Sequence, residues 1–563
     1  MGTKNLTAVA MAAALVVISG CASDQDERFD PRGLGNAQRS VSGTYVPEPL
    51  RTLPTQLESP FLPENRNKPN YPKEAPASQP LAPDNKVVRL PLREITQRAV
   101  ATNLSVKVSG YTPAIDETRV TEADARFDPE FFTNLTYRTN RQPEIQFTGD
   151  NSEQWQGEIG IRQLLPSGGQ IEASLKPVRY HFTNGAGEQT VTSQEVGLQL
   201  TQPLLRDFGS TVNQARIVIN RNNQRISVLD FRKDLEEMLR NVEEVYWRLV
   251  QAQQNVGIQE RLLQRSIDTS DITSKRYNQD VTLEQISNAV SRVESARSDL
   301  IRARQNVHDL SDRLKNLMND PDFPVAGDIL ILPADAPMEQ PIIFDFQDAV
   351  STGLLNRFEL GQQQLRVDSA SVAMEVAKNN RLPQLNLVGS IGLISAEDGE
   401  GQTFFEGTNN NFGEDANAVS WSLGLQFAHK IGNREALAIF RRSQLQRQQA
   451  IDQYRQQIDQ VTLDIKLAQR EMETSYQAIA QTRAARFAAS KALEVVQTLE
   501  TNGEPLVRQF VETKLNRQQE LAQAERAEAD AIASYNIAIS RLESAKGTLL
   551  RYNNVIMEEK PRP

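Results

Sequence analysis

Val419-Ser420-Trp421-Ser422-Leu423-Gly424-Leu425-Gln426-Phe427 alternates without a slip, with large apolar side chains on one face and small or polar ones on the other. A period of two is the signature of a β-strand with two unlike faces. Just upstream, Leu385, Leu387, Ile391 and Leu393 fall on one face, opposite Gln384, Asn386 and Ser390. Downstream, from about Arg434 to Thr501, runs a proline-free stretch rich in Gln, Arg, Glu, Ala and Leu, the composition of a very long helix. Two amphipathic strands emptying into such a helix decide the fold class, because a helix of that length has no place inside a globule.

The same unit occurs earlier. Gly197-Leu198-Gln199-Leu200 matches Gly424-Leu425-Gln426-Phe427, Ala303 matches Ala531 and Leu314 matches Leu542, a period of 227–228 residues. Phe131, Thr133, Leu135 and Tyr137 alternate, as do Val196, Leu198 and Leu200. A helical pattern from about Gln214 to Tyr277 spans roughly 95 Å at 1.5 Å per residue. The first half also carries an additional hairpin. Trp155, Ile159 and Ile161 alternate with Gln156, Glu158 and Arg162; the turn is Pro166-Ser167-Gly168-Gly169, and Ile171, Ala173 and Leu175 follow in step. Trp155, Tyr180 and Trp421 are candidates for an aromatic girdle. Four or six strands cannot close a barrel wide enough to conduct, and an open edge is forbidden in lipid, so a membrane location would require several chains to share one barrel.

Each long helix is followed by a return helix with a heptad seam. Ile286, Val293, Leu300, Val307 and Leu314 line up beside Ala289, Ala296, Ala303, Leu310 and Leu317. In the second half Leu521, Tyr535, Leu542 and Leu549 line up beside Ala524, Ala531, Ala538 and Ala545. Glu528 interrupts that seam and must face water or a partner. Asn278-Gln279-Asp280 breaks the first long pattern and Asn502-Gly503-Glu504-Pro505 the second, so these turns, with Val281 and Leu506, should lie together at the far end from the strands.

Residues 1–20 have the form of a signal peptide: Lys4, an apolar run from Leu6 to Ile18 too short to span a bilayer, then Ser19-Gly20 before the single cysteine, Cys21. Eleven prolines between 22 and 88 mark residues 21–88 as an extended tether. The expected order is then repeat 1 over 89–320 (a short helix, strands about 130–204, long helices about 210–318) and a proline-rich connector, 321–345. Repeat 2 covers 346–552 (a helix, strands about 384–395 and 418–429, long helices about 433–550), with a tail at 553–563. A net charge of -10 argues against nucleic acid as a partner. Lone, scattered His181, His308 and His429 and one cysteine give no metal spacing and no disulfide framework. No phosphate loop or nucleophile elbow is present, so no catalytic residue, metal or cofactor is expected.

Thr201-Gln202-Pro203-Leu204-Leu205-Arg206-Asp207-Phe208-Gly209 resembles the strand-to-helix junction of the TolC outer-membrane efflux family. Ala125-Arg126-Phe127-Asp128-Pro129, Arg381-Leu382-Pro383-Gln384-Leu385, Gly432-Asn433-Arg434-Glu435, Ser534-Tyr535-Asn536-Ile537-Ala538 and Lys546-Gly547-Thr548-Leu549-Leu550 fit the same family, over about residues 90–552. Ile18-Ser19-Gly20-Cys21 resembles a lipobox, which implies lipid attachment (palmitate) at Cys21, and Ala22 favours the outer membrane over the inner. The resemblance implies a membrane α+β fold: a homotrimer closing an outer-membrane β-barrel, continued by a long periplasmic α-helical barrel built from two structural repeats. It also implies a periplasmic adaptor (membrane fusion) protein, an inner-membrane transporter of RND or ABC type, and passive efflux or type I secretion in a Gram-negative bacterium. The tip that meets the adaptor would be Asn278, Gln279, Asp280, Val281, Asn502, Gly503, Glu504, Pro505 and Leu506. The family's aperture carboxylates do not carry over cleanly: Gln285, Asn288, Thr513 and Asn516 fall near those positions, with Glu284 and Glu512 the nearest acids, so a gate of neutral hydrogen bonds is expected. The rival reading is a structural coiled-coil envelope lipoprotein, for which the alternating strands have no use.

Overall fold

The computed structural model describes residues 86–141, 151–184, 187–276, 281–398, 418–501 and 508–555. Contacts divide the chain into two units, 1–75 and 76–563, and all described residues belong to the second. Cys21, Asn278, Gln279, Asp280, Asn502, Gly503, Glu504, Pro505 and Leu506 lie outside the described residues.

A short strand β1 (Val87–Leu90) opens the described chain, followed by α1 (Leu92–Thr102) and α2 (Leu104–Asp124). Four strands come next: β2 (Glu130–Arg141), β3 (Asn151–Leu164), β4 (Gln170–Asn184) and β5 (Gly187–Pro203). Then come the long helix α3 (Ala215–Lys275) and its return helix α4 (Leu283–Met318). The second half repeats the plan after a short strand β6 (Leu330–Pro333). It runs α5 (Phe346–Asn356), α6 (Phe358–Asn379), β7 (Gln384–Asp398), β8 (Ala418–Ala428), the long helix α7 (Arg434–Thr501) and the return helix α8 (Arg508–Ala545).

The sheet has six strands in the order β2-β3-β4-β5-β7-β8, every neighbouring pair antiparallel. The additional hairpin is thus not an appendage: β3 and β4 stand inside the sheet, between β2 and β5. The connector is more structured than a proline-rich spacer suggests. Its β6 is wholly buried and pairs in parallel with β1, Val87 opposite Leu330, so the end of the expected tether and the connector hold one another. The Tyr246 hydroxyl locks the connector to α3, donating to Asp335 Oδ2 at 2.9 Å and accepting from the Asp335 backbone N–H at 3.1 Å.

The helices pack as two layers of one wall. Near the sheet the lateral order is α2-α3-α6-α7; away from it, α4-α3-α8-α7. Each long helix serves both levels and changes partner along its length. The first seam is buried as its heptads require, with Leu300 at 2% exposure and Ala289, Val307 and Leu314 at 0%. In the second half Tyr535, Ala538 and Leu542 pack with Val461, Ile465 and Met472 of α7. At 1.5 Å per residue, 61 and 68 residues make α3 and α7 about 90 and 100 Å long.

Candidate functional site

The sheet's register sorts its side chains into two unlike faces. Residues directly opposite on antiparallel neighbours share a face, so the pairings can be followed across all six strands. One row runs Phe131, Ile161, Ala173, Leu198, Ile391, Trp421, and the next Thr133, Ile159, Leu175, Val196, Leu393, Val419. In the single chain this apolar face is open: Trp421 is 75% exposed, Leu423 68% and Phe427 68%. A continuous face of this kind suits hydrocarbon rather than water. The opposite face carries Glu130, Arg162, Glu172, Gln199, Ser390 and Ser422 in one row. Trp155 and Trp421 stand on the apolar face, the first stacked on Tyr137 at 4.7 Å between ring centres. Tyr180 does not: it is in register with Val191 and Gln154, on the polar side, where its ring meets Phe182 at 5.4 Å. A girdle role fits the two tryptophans and not Tyr180.

Strands β2 and β8 bound the sheet, and among the described residues each pairs with a single neighbour, β3 and β7. The helical wall is equally unfinished at its borders. On α2, Leu104, Val108, Tyr111 and Ile115 recur at helical spacing and are 52–67% exposed. On α7, at the other border, Leu437, Leu445, Leu463, Leu467 and Phe487 are exposed.

The junction motif 201–209 earns its residues by turning a strand into a helix in a few steps. The Leu204 and Arg206 N–H groups donate to the carbonyls of Leu385 (2.7 Å) and Pro383 (3.2 Å) of the second repeat. Asp207 takes a left-handed conformation (φ 66), held by its N–H donating to Asn379 Oδ1 at 2.7 Å. The β3–β4 turn closes on this corner: the Gly209 N–H donates to the Ser167 carbonyl at 3.0 Å. Gly168, at φ 89, lies so near that a Cβ there would sit 2.2 Å from the Asp207 carbonyl oxygen.

Midway along the helices, charge is buried. Glu243 of α3 is 1% exposed; it accepts from the Ser540 hydroxyl and from Asn553 Nδ2 (2.7 Å), and burial pushes its carboxyl above the ordinary range. Glu236, two turns earlier, accepts from the Leu549 N–H at 3.2 Å; burial raises its pKa to about 7. Glu528, the interruption in the second seam, is 9% exposed and paired with Arg483 (2.8 Å) and Arg486; Arg483 also reaches Glu339 of the connector at 2.8 Å. The seam is therefore broken by an ion cluster that ties α7, α8 and the connector together.

At the far end the starts of α4 and α8 come together. Val281, Ile286 and Ala289 form one apolar cluster with Val511 and Leu515. Val281 is 8% exposed. Gln285 is buried and committed to a cap: its Oε1 accepts from the Thr282 N–H at 2.7 Å while Thr282 Oγ1 accepts from the Gln285 N–H at 3.4 Å, a reciprocal capping box. Asn516 is exposed and accepts from Arg292 at 3.1 Å, bridging the two return helices. Glu284, Asn288, Glu512 and Thr513 are exposed. Thr282-x-x-Gln285 carries the capping-box spacing in the sequence itself. No sequence pattern pointed to Lys514, which is 5% exposed and pairs with Glu500 at 2.6 Å, fastening the end of α7 to the start of α8.

No described helix is long and apolar enough to cross a membrane, and no metal-holding group of side chains occurs among the described residues. The sequence matches no family profile and no curated protein. Solved structures do match. A membrane protein from Pseudomonas aeruginosa superposes with a TM-score of 0.60 at 17% identity, over 81% of this chain and 93% of its own. The Campylobacter jejuni CmeC outer membrane channel gives 0.59 at 16%, over 81% and 86%. The Vibrio cholerae outer membrane protein VceC gives 0.58 at 15%, over 81% and 96%. Two-faced sheet, paired long helices and internal repeat together give this chain the fold of the TolC-type outer-membrane channels.

Proposed function

We propose that three copies of this chain close one β-barrel in the outer membrane of a Gram-negative bacterium and continue it as a helical tunnel through the periplasm. The assembly is a passive duct for efflux or type I secretion. One observation carries the reading: the sheet is apolar on one face and polar on the other, and its two edges are open. An open edge leaves a row of backbone groups unpaired, which hydrocarbon does not tolerate. A single chain of six strands is too small to close around a water-filled lumen. The edge β8 of one copy against β2 of the next resolves both problems, and the exposed apolar borders α2 and α7 meet in the same step. No chemistry is required of the chain; energy comes from an inner-membrane transporter, of RND or ABC type, reached through a periplasmic adaptor.

The turns at 278–281 and 502–506 are the adaptor-facing tip in this reading, supported by the cluster that joins the starts of α4 and α8. Of the aperture candidates, Glu284, Asn288, Glu512, Thr513 and Asn516 are exposed there. Cys21 is the lipid anchor; intact-mass spectrometry should find the mature chain beginning at Cys21 with an acyl mass, and an unmodified amino terminus would remove the anchor from the account. The test of the duct is conductance: purified protein in a planar bilayer should open water-filled channels as a trimer, whereas a coiled-coil linker would form none.

A further inference from the structure

We propose that the hairpin β3–β4 is pore wall, and that the charge rows it completes with its neighbours β2 and β5 make the duct favour cationic over anionic solutes, with Glu172 and Glu195 setting the sign. The inference rests on the reading that the sheet is one third of a shared barrel. Its turn is pinned to the strand-to-helix corner by the Gly209 to Ser167 bond, so the hairpin begins at the level where the tunnel meets the sheet. From there it runs in unbroken register between β2 and β5. Three chains of six strands make a barrel of eighteen. With strands about 4.8 Å apart and tilted about 40°, the backbone radius is about 18 Å, a size that leaves an aqueous lumen.

Nearest the helices, the charges on the polar face stand in two rows. In the first, Arg162 pairs with Glu130 at 2.8 Å, and Glu172, opposite Arg162 in register, has no second cation in its row. In the other, Lys176 pairs with Glu158 at 3.3 Å, and Glu195 stands opposite Lys176. Each row thus holds one carboxylate more than it has cations. Between them lies a row of Phe132, Gly160, Ser174, Gly197, Gly392 and Ser420. The facing pair Gly197 and Gly392 leaves room for the Glu195 side chain to lie across the wall; a Cβ on Gly392 would come within 3.0 Å of its Oε1. Arg138 is four residues further out, about 13 Å, and shares its register row with Asp398. Four of the six charges in the two rows belong to the hairpin and balance one another, two acids against two bases, so the surplus matches the two acids of its neighbours, Glu130 of β2 and Glu195 of β5. Around three chains the two rows form adjacent rings with an excess of six carboxylates. Allowing about 6 Å for side chains, the ring lies about 12 Å from the axis, close to the ~10 Å Debye length at 0.1 M salt and far beyond the ~3 Å at 1 M. Selectivity should therefore be present at 0.1 M and fade at 1 M.

The local potential can be read without depending on the gate. Ser420 is exposed in the row between the rings, and Cys21 is the only native cysteine. Ser420→Cys protein in outer-membrane vesicles would be labelled at 0.1 M salt with a cationic and an anionic methanethiosulfonate, the parent chain serving as blank. Relative to a free thiol, the cationic reagent should be favoured by about fivefold. That preference should fall to the free-thiol ratio at 1 M salt or in Ser420→Cys carrying Glu172→Gln and Glu195→Gln. A free-thiol ratio already at 0.1 M, or an unchanged preference in the glutamine background, overturns the inference while leaving the duct intact. Failure of both reagents to reach the thiol in folded trimers places the polar face away from water and overturns the duct reading itself.

Discussion

Glu236 and Glu243 are acids of a kind that a helical wall avoids unless it uses them to hold something. Both face the short C-terminal segment 549–553, through the Leu549 N–H and Asn553. The pKa of Glu236 is raised to about 7, so the folded chain binds its proton more tightly than the unfolded chain does. The stabilisation this gives is complete below the unfolded value near 4.5 and is lost as pH rises through about 7. It amounts to at most about 3 kcal/mol. Thermal unfolding should accordingly occur at higher temperature at pH 5.5 than at pH 8. Glu236→Gln, which keeps an oxygen for Leu549, should flatten that part of the profile; an unaltered profile would show the proton is held elsewhere. Lys514 makes the complementary case. Lys514→Met leaves Glu500 without its partner at a site 18% exposed, at a cost of about 2 kcal/mol. Faster hydrogen exchange confined to the first turns of α8 is the expected sign, and exchange unchanged there would contradict it. At this scale the sequence was least readable. Glu528 was visible as a charge in an apolar seam, but its partners Arg483, Arg486 and Glu339 come from another helix and the connector, and no local pattern announces them.

Elements were far more legible. Heptads and strand alternation each repeat one local rule many times, and burial of the long seams follows those rules, with Leu317 and Ala524 half-buried. The long helices, expected at about 214–277 and 434–501, are found at 215–275 and 434–501. The place of the hairpin was not legible, because alternation alone does not say whether a strand joins a sheet or stands beside it; only the long-range register with β2 and β5 does. The same register moves Tyr180 to the polar face against its appearance as a girdle residue. Two predictions belong here. Thr282→Ala should cost about 1 kcal/mol of cap energy and loosen the start of α4 by hydrogen exchange, leaving the seam from Val293 onward protected; uniform exchange along α4 would contradict the cap. Leu506→Asp at the expected tip should abolish export and adaptor co-purification with trimers retained. Val281→Asp is a harsher probe, because Val281 belongs to the cluster joining α4 and α8, and a charge there should also unpack the tip. If Leu506→Asp exports normally and keeps its adaptor, the tip lies elsewhere.

As a molecule, the chain is a segment of wall with unfinished borders: β2 and β8 in the sheet, α2 and α4 along one side of the helices and α7 along the other. Each half repeats a plan, and the hairpin present only in the first half makes the sheet six strands rather than four. In the proposed assembly copies of the chain meet edge to edge around a lumen, which closes the borders and puts the apolar face in lipid and the polar face in water. That claim is tested most directly by native mass spectrometry of the detergent-purified protein, with planar-bilayer recording from the same preparation. The account predicts a particle of three mature chains and channel activity that belongs to that particle alone. A folded, stable monomer that conducts by itself would contradict it.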